Sequence, residues 1–202
     1  MEAATATRFD IAEEERLRAD FYGLLGRLLA GAADAETLAA CAALKGDASE
    51  LGVALGVLAK AAASADPAAV EREYFDLFIG VGRGELLPFG SFYLTGFLNE
   101  KPLARLRQDL ARHGIARRAG VFESEDHIAA LCQAMATLIG GESRAPVALA
   151  EQQTFFDRHL APWAGRFFAD LETAEKAAFY RPVGTIGRLF VEIESQAFRM
   201  AA

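Results

Sequence analysis

EEERLRADFYGLLGRLLA, residues 13–30, sets Leu17, Phe21, Leu24, Leu25, Leu28 and Leu29 three and four positions apart, with Arg16, Asp20 and Arg27 off that line. An α-helix turns once every 3.6 residues, so this spacing gathers the apolar side chains into one stripe and leaves the charges facing water. A strand would need alternation with a period of two, which the segment lacks. The helical period recurs outward along the chain, and no convincing pair of strands interrupts it. The 202 residues therefore read as an all-α, single-domain bundle, residues 1–202, of about eight to ten helices.

Helix starts are marked by short polar side chains that can accept from the free N–H groups of a first turn. Asp34 opens a short helix through Cys41 and Leu44, and Ser49 opens the next, with Leu51, Val53, Leu55 and Leu58. Asp66-Pro67 joins a cap to a first-turn proline, after which Val70, Tyr74, Leu77 and Phe78 line one face until Gly80 stops the helix. Lys101-Pro102 starts another, with Leu103, Leu106 and Leu110 inward and an end near His113-Gly114. A basic connection with Arg117 and Arg118 follows. Glu123, Glu125 and Asp126 are then expected on the first turn of a helix through Ile128, Leu131, Cys132, Met135 and Leu138, where carboxylates suit the dipole. Beyond Pro146, helical patterns cover 147–160, 162–171 and 173–200, the last with a break near Pro182 and Gly184.

Residues 73–102, EYFDLFIGVGRGELLPFGSFYLTGFLNEKP, form the least ordinary connection. Gly80, Gly82, Gly84 and Gly90 free the backbone, while Leu86, Leu87, Pro88, Phe89, Phe92 and Tyr93 supply surface that water rejects unless a core or a ligand covers it. That combination describes a shaped binding surface rather than a solvated linker.

Composition narrows the function classes. Lys and Arg number 21 against 28 Asp and Glu, a formal charge of -7, which opposes binding to a nucleic-acid backbone and accommodates a cationic peptide. The first residues show no basic stretch followed by an apolar one, and no apolar run approaches the roughly 18 residues of a membrane span, so neither export nor membrane insertion is expected. Cys41 and Cys132 sit apart in helical sequence and suit buried thiols in a reducing compartment. His113, His127 and His159 form no metal-ligand spacing, and no metal or cofactor is expected. Gly80-Val81-Gly82-Arg83-Gly84 could form an anion nest, yet it follows a helix and lacks the spacing of either nucleotide-binding loop. Asp126-His127 invites an acid/base reading. Neighbouring residues of a helix point about 100° apart, so the simpler reading bonds them to loop backbone or to another segment.

Three segments together resemble the TorD/DmsD/NarJ group of molybdoenzyme chaperones, in particular its TorD-like branch. They are 74–82, YFDLFIGVG, followed by Pro88, Ser91 and Tyr93; 123–127, ESEDH, followed by Leu131 and Met135; and 159–163, HLAPW, followed by Phe167. The resemblance implies an all-α, non-enzymatic, cytoplasmic protein that binds the twin-arginine signal peptide of a molybdoenzyme precursor and assists cofactor insertion before export. The wording FGSFYLTGFL is similar to relatives associated with formate dehydrogenase. The positions it implies for peptide binding are Leu77, Phe78, Pro88, Ser91, Tyr93, Glu123, Asp126 and His127. Glu85, Leu86 and Phe89 join them because a basic, then apolar, ligand calls for carboxylates beside apolar surface. Val81 and Ser124 stand where the family pattern has proline. The resemblance also implies a monomer or a domain-swapped dimer, with the hinge at residues 114–125. Two other readings stay open at this stage: a small-molecule enzyme using Asp126 and His127, and an adaptor that binds a folded partner.

Overall fold

The periodicity of residues 13–30 becomes the first of ten α-helices in the computed structural model, which describes residues 11–117, 123–141 and 145–201. They are α1 (Glu13–Ala30), α2 (Ala35–Ala42), α3 (Glu50–Ser64), α4 (Pro67–Tyr74), α5 (Gly90–Thr95), α6 (Lys101–Arg112), α7 (Ile128–Gly140), α8 (Leu149–His159), α9 (Ala164–Thr173) and α10 (Tyr180–Ala201). A π-helical turn, Phe75–Ile79, prolongs α4. No strand occurs among the described residues; one isolated bridge joins Phe89 to His127. Residues 118–122 of the expected hinge lie outside the described residues.

Three caps form where the sequence placed them. The Asp34 carboxylate accepts from Thr37 N–H at 2.8 Å, the Ser49 hydroxyl from Gly52 N–H at 3.0 Å, and Asp66 from Ala68 N–H at 3.3 Å. Two boundaries differ from expectation. Pro182 and Gly184 do not break the last helix, because a proline in a first turn forfeits no intrahelical bond. The interruption falls earlier, at residues 174–179. The α1 stripe is also rotated: Leu17 is exposed, and Tyr22 takes a buried place beside Leu25, Leu28 and Leu29.

The core is one continuous apolar cluster that draws on nearly every helix. α1 packs along α7, and α9 along α10. The second pair approaches closely because Gly187 of α10 lies under the Phe168 ring, where a Cβ would stand 2.2 Å from a ring carbon. Burying side chains such as Leu28, Leu58 and Phe168 stabilises the bundle by about 1.5–3 kcal/mol each.

One ion pair is set inside this apolar mass. Glu194 of α10 is 1% exposed, and Arg18 of α1 grips it through two bonds of 2.8 Å. The Tyr22 hydroxyl donates to the same carboxylate at 3.0 Å, and Arg18 also reaches Glu15 and Gln152 of α8. The network ties three helices that are remote in sequence, and every partner of the buried charge comes from elsewhere in the chain. Removing the guanidinium strands an ionised carboxylate in a low-dielectric interior. Arg18→Ala is therefore expected to lower the unfolding free energy by about 3–5 kcal/mol, read from the shift of a urea denaturation curve.

Candidate functional site

α4 does not end at Gly80 as an ordinary α-helix. Its last turn widens, so that Gly80 N–H donates to Phe75 C=O at 2.7 Å, five residues back. Such one-residue excesses within helices often occur at functional sites. Gly80 then takes φ 62°, and a Cβ there would stand 2.1 Å from the Arg83 carbonyl oxygen, so the reversal requires glycine. The chain folds back along the π turn through Glu85 N–H to Asp76 C=O at 3.2 Å and Leu86 N–H to Leu77 C=O at 2.8 Å. Leu77 is buried beneath this return, while Phe75, Ile79 and Val81 face outward.

Two carboxylates fasten the same region to the start of α10. Glu73 accepts the N–H groups of Ala178, Phe179 and Tyr180 at 2.8–3.0 Å, the free donors of a helix N-terminus. Glu85 accepts those of Glu175 and Lys176 at 2.7 and 3.1 Å. Phe78 and Tyr74 complete the joint by packing their rings against Tyr180.

Residues 123–127 do not form the first turn of α7, contrary to the sequence pattern. They form a turn closed by His127 N–H to Ser124 C=O at 3.0 Å, set beside the 88–91 segment. Ile128 N–H donates to Pro88 C=O and Gly90 N–H to Asp126 C=O, both at 2.9 Å, and the Asp126 carboxylate accepts from Ser91 N–H at 2.7 Å and from the Ser124 hydroxyl. These bonds absorb the backbone that a helical turn would otherwise have to satisfy. α7 starts one residue later, capped by His127, whose Nδ1 accepts from Ala129 N–H at 3.1 Å. Asp126 and His127 are 3% and 6% exposed, and their side chains hold backbone N–H groups rather than each other, so they do not form an acid/base pair.

The clamped segment leads directly into α5, which stands between two cavities. One, of about 500 Å³, lies between α5, α6 and the α8–α9 junction, over Ser91, Leu106, Asp109, His159 and Trp163, with the exposed Arg105, Arg112 and Arg158 around it. Trp163 donates to the His159 carbonyl at 2.7 Å, which makes this four-residue pair core packing. The Asp109 carboxylate lies 2.9 Å from His159 Nε2. Because a carboxylate only accepts, that nitrogen carries the proton. Burial disfavours the Asp109 charge, yet bonds from His159 and Arg158 hold the carboxyl below its ordinary range.

The second cavity, of about 520 Å³, lies between the 83–87 loop, α5 and α9. Phe92 and Tyr93 give it aromatic side chains, Glu85 and Asp170 carboxylates, and Leu86 an apolar one. The Tyr93 hydroxyl donates to Asp170 at 2.9 Å, and burial followed by this bond pushes the phenol pKa up. Leu94, exposed, borders both cavities.

The expected positions thus separate into two groups. Leu77, Pro88, Ser91, Asp126 and His127 are buried and form framework, while Phe78, Glu85, Leu86, Phe89 and Tyr93 are half-buried and Glu123 is exposed. Of these, Glu85, Leu86 and Tyr93 share the second cavity. Glu125 is paired with Arg107 at 2.8 Å. Sequence reading missed Asp170 and Arg166, which α9 brings to the cavity from more than seventy residues away, a separation at which local periodicity carries no signal.

Burial drives the His127 pKa down from 6.5 to about 4, against the pull of Glu123 and Asp126. Between those values the unfolded chain holds a proton that the folded one refuses, so stability present above pH 6.5 is lost as pH falls towards 4. The loss attributable to His127 is expected to reach about 3 kcal/mol. Asparagine at this position can cap the helix without titrating. His127→Asn should flatten the fall in denaturation midpoint between about pH 7 and about pH 4.5, leaving the part due to His159, whose pKa burial also lowers.

Comparison with known proteins places this architecture. Residues 44–169 match the family described as nitrate reductase delta subunit. Chaperone protein TorD of Aliivibrio fischeri is 29% identical over 130 residues, 60% of this chain and 60% of that protein. Chaperone protein TorD of Vibrio cholerae is 28% identical over 127 residues, 59% and 58% of the two chains. The chain thus spans about 60% of the length of these curated relatives. A crystal structure from Archaeoglobus fulgidus, described as a redox enzyme maturation protein, superposes with a TM-score of 0.57 at 20% identity over 95% of this chain and 99% of that one, a likeness of fold. The matched span contains the π turn, the clamp and the whole of α5 to α8, and on that ground the chain belongs to the nitrate reductase delta subunit family, the TorD/NarJ group.

Proposed function

We propose that the protein is a maturation chaperone for a redox enzyme of the molybdoenzyme class, and that it holds the twin-arginine leader of that client in the cavity between the 83–87 loop, α5 and α9. The observation that carries the reading is the lining of that cavity: Glu85 and Asp170 beside the rings of Phe92 and Tyr93. A guanidinium is planar, weakly hydrated and always charged, so it is suited to a carboxylate at its edge and an aromatic ring at its face. Family membership and the relatives named chaperones support the same reading.

The apolar part of a leader needs a surface to follow. Leu94 borders the cavity, and Phe97 and Leu98 stand exposed just beyond α5, at 69% and 43% of their area. Exposed apolar side chains so close together characterise a binding surface more than a solvated turn. Asp126 and His127 serve this reading indirectly, by fixing the segment that launches α5. The leader is read before export, which puts the protein in the cytoplasm. Formate dehydrogenase or a related reductase is the client class that the 89–98 wording favours.

Titration calorimetry with a synthetic leader peptide tests the assignment. The Arg-Arg peptide should bind and its Lys-Lys counterpart should bind more weakly, since an ammonium lacks the planar fork. Asp170→Asn keeps an acceptor for the Tyr93 hydroxyl and removes the charge. It should weaken the Arg-Arg peptide by about 1.5 kcal/mol, roughly tenfold in Kd. Equal affinity for both peptides, with no effect of Asp170→Asn, would exclude this cavity as the arginine site.

A further inference from the structure

The cavity already contains an arginine of the protein's own. Arg83 is exposed, on the loop whose turn is made by Gly80 at φ 62° and Gly82 at φ 87°, and its guanidinium carbon lies 5.3 Å from the centre of the Phe92 ring. That distance is within the range of a cation held on an aromatic face. Among the described residues no carboxylate lies within ion-pairing distance of Arg83, although Glu85 and Asp170 line the same cavity. The side chain is therefore held by the ring rather than by a charge partner.

We infer that Arg83 is an internal competitor: it occupies the Phe92 face in the free protein, and an arginine of the bound leader must displace it. This rests on the leader-binding reading above and adds to it a device that sets affinity. The exposed Arg83 side chain can leave the ring by rotation about its own bonds, while Gly84, buried against the Leu77 and Phe78 backbone, and Glu85 on the 175–176 backbone keep the framework in place. A seat filled from within costs the ligand part of its contact energy. It also screens the aromatic face from weak cations, since only a group that binds the ring and the carboxylates together gains more than the internal contact supplies.

Calorimetric titration of the Arg-Arg leader peptide into the intact protein and three variants tests this, with circular dichroism confirming that each variant is folded. An exposed cation–aromatic contact of ordinary strength corresponds to a change of about two- to fivefold, so Arg83→Ala should bind the peptide tighter by that factor. Phe92→Leu, similar in volume, should bind more weakly. Adding Arg83→Ala to Phe92→Leu should then give no further gain, because the competition needs the ring. If Arg83→Ala binds no tighter than the original protein, Arg83 is not a competitor. If the gain persists in the Phe92→Leu background, it reflects only the removal of a positive charge, and the inference is overturned while leader binding stands. If neither the original protein nor any variant binds the peptide, the leader-binding reading falls and takes the inference with it.

Discussion

The short pairing of residues 88–91 with 126–128 fixes α5, which carries Phe92, Tyr93 and Leu94 into the candidate site. Two backbone bonds at 2.9 Å and one from Ser91 N–H to a carboxylate at 2.7 Å join segments about 35 residues apart. Net contributions are about 0.5–1.5 kcal/mol for each backbone bond and 1.5–3 for the charged one. Their sum is a sizeable part of the 5–15 kcal/mol typical of a whole domain. Cutting the clamp would therefore do more than loosen a loop. It would release α5, and α5 is the common wall of both cavities.

Much of the helical framework was legible from local chemistry. Asp34, Ser49 and Asp66 cap helices because an oxygen two or three residues before a free N–H needs no tertiary context to find it. Lys101-Pro102 marks the start of α6 for the same local reason. The start of α7 was misplaced because carboxylates suit a helix N-terminus on energetic grounds, while their bonding to a distant segment leaves no trace in spacing. Glu194 illustrates the same limit: its guanidinium partner is 176 residues away, and its burial is visible only once α1 and α10 are packed. The resemblance to a family points to residues 74–93 and 123–127, and only the structure separates Asp126 and His127, which hold the frame, from Tyr93, which lines the second cavity with Asp170.

The distribution of charge follows from that division. The chain is acidic overall, at -7, yet most of the acidic groups near the site are already engaged. Glu73 and Glu85 cap backbone, Glu125 faces Arg107, and Asp126 closes the clamp. The net charge draws a cation towards the protein at long range. The few oriented groups at close range line a cavity that mixes both signs, so long-range attraction and close-range fit are set by different residues.

The widened turn at Phe75–Ile79 carries a consequence for how such a chain can change over time. It holds one residue more than an ordinary α-helical turn and spreads it over a wider one, so the helix before it and the loop after it keep the phase they would have without the extra residue. Losing that residue would tighten the turn to ordinary winding and leave both flanks in place, so a change of one in the count of residues between Pro67 and Gly80 is the length change this joint can absorb.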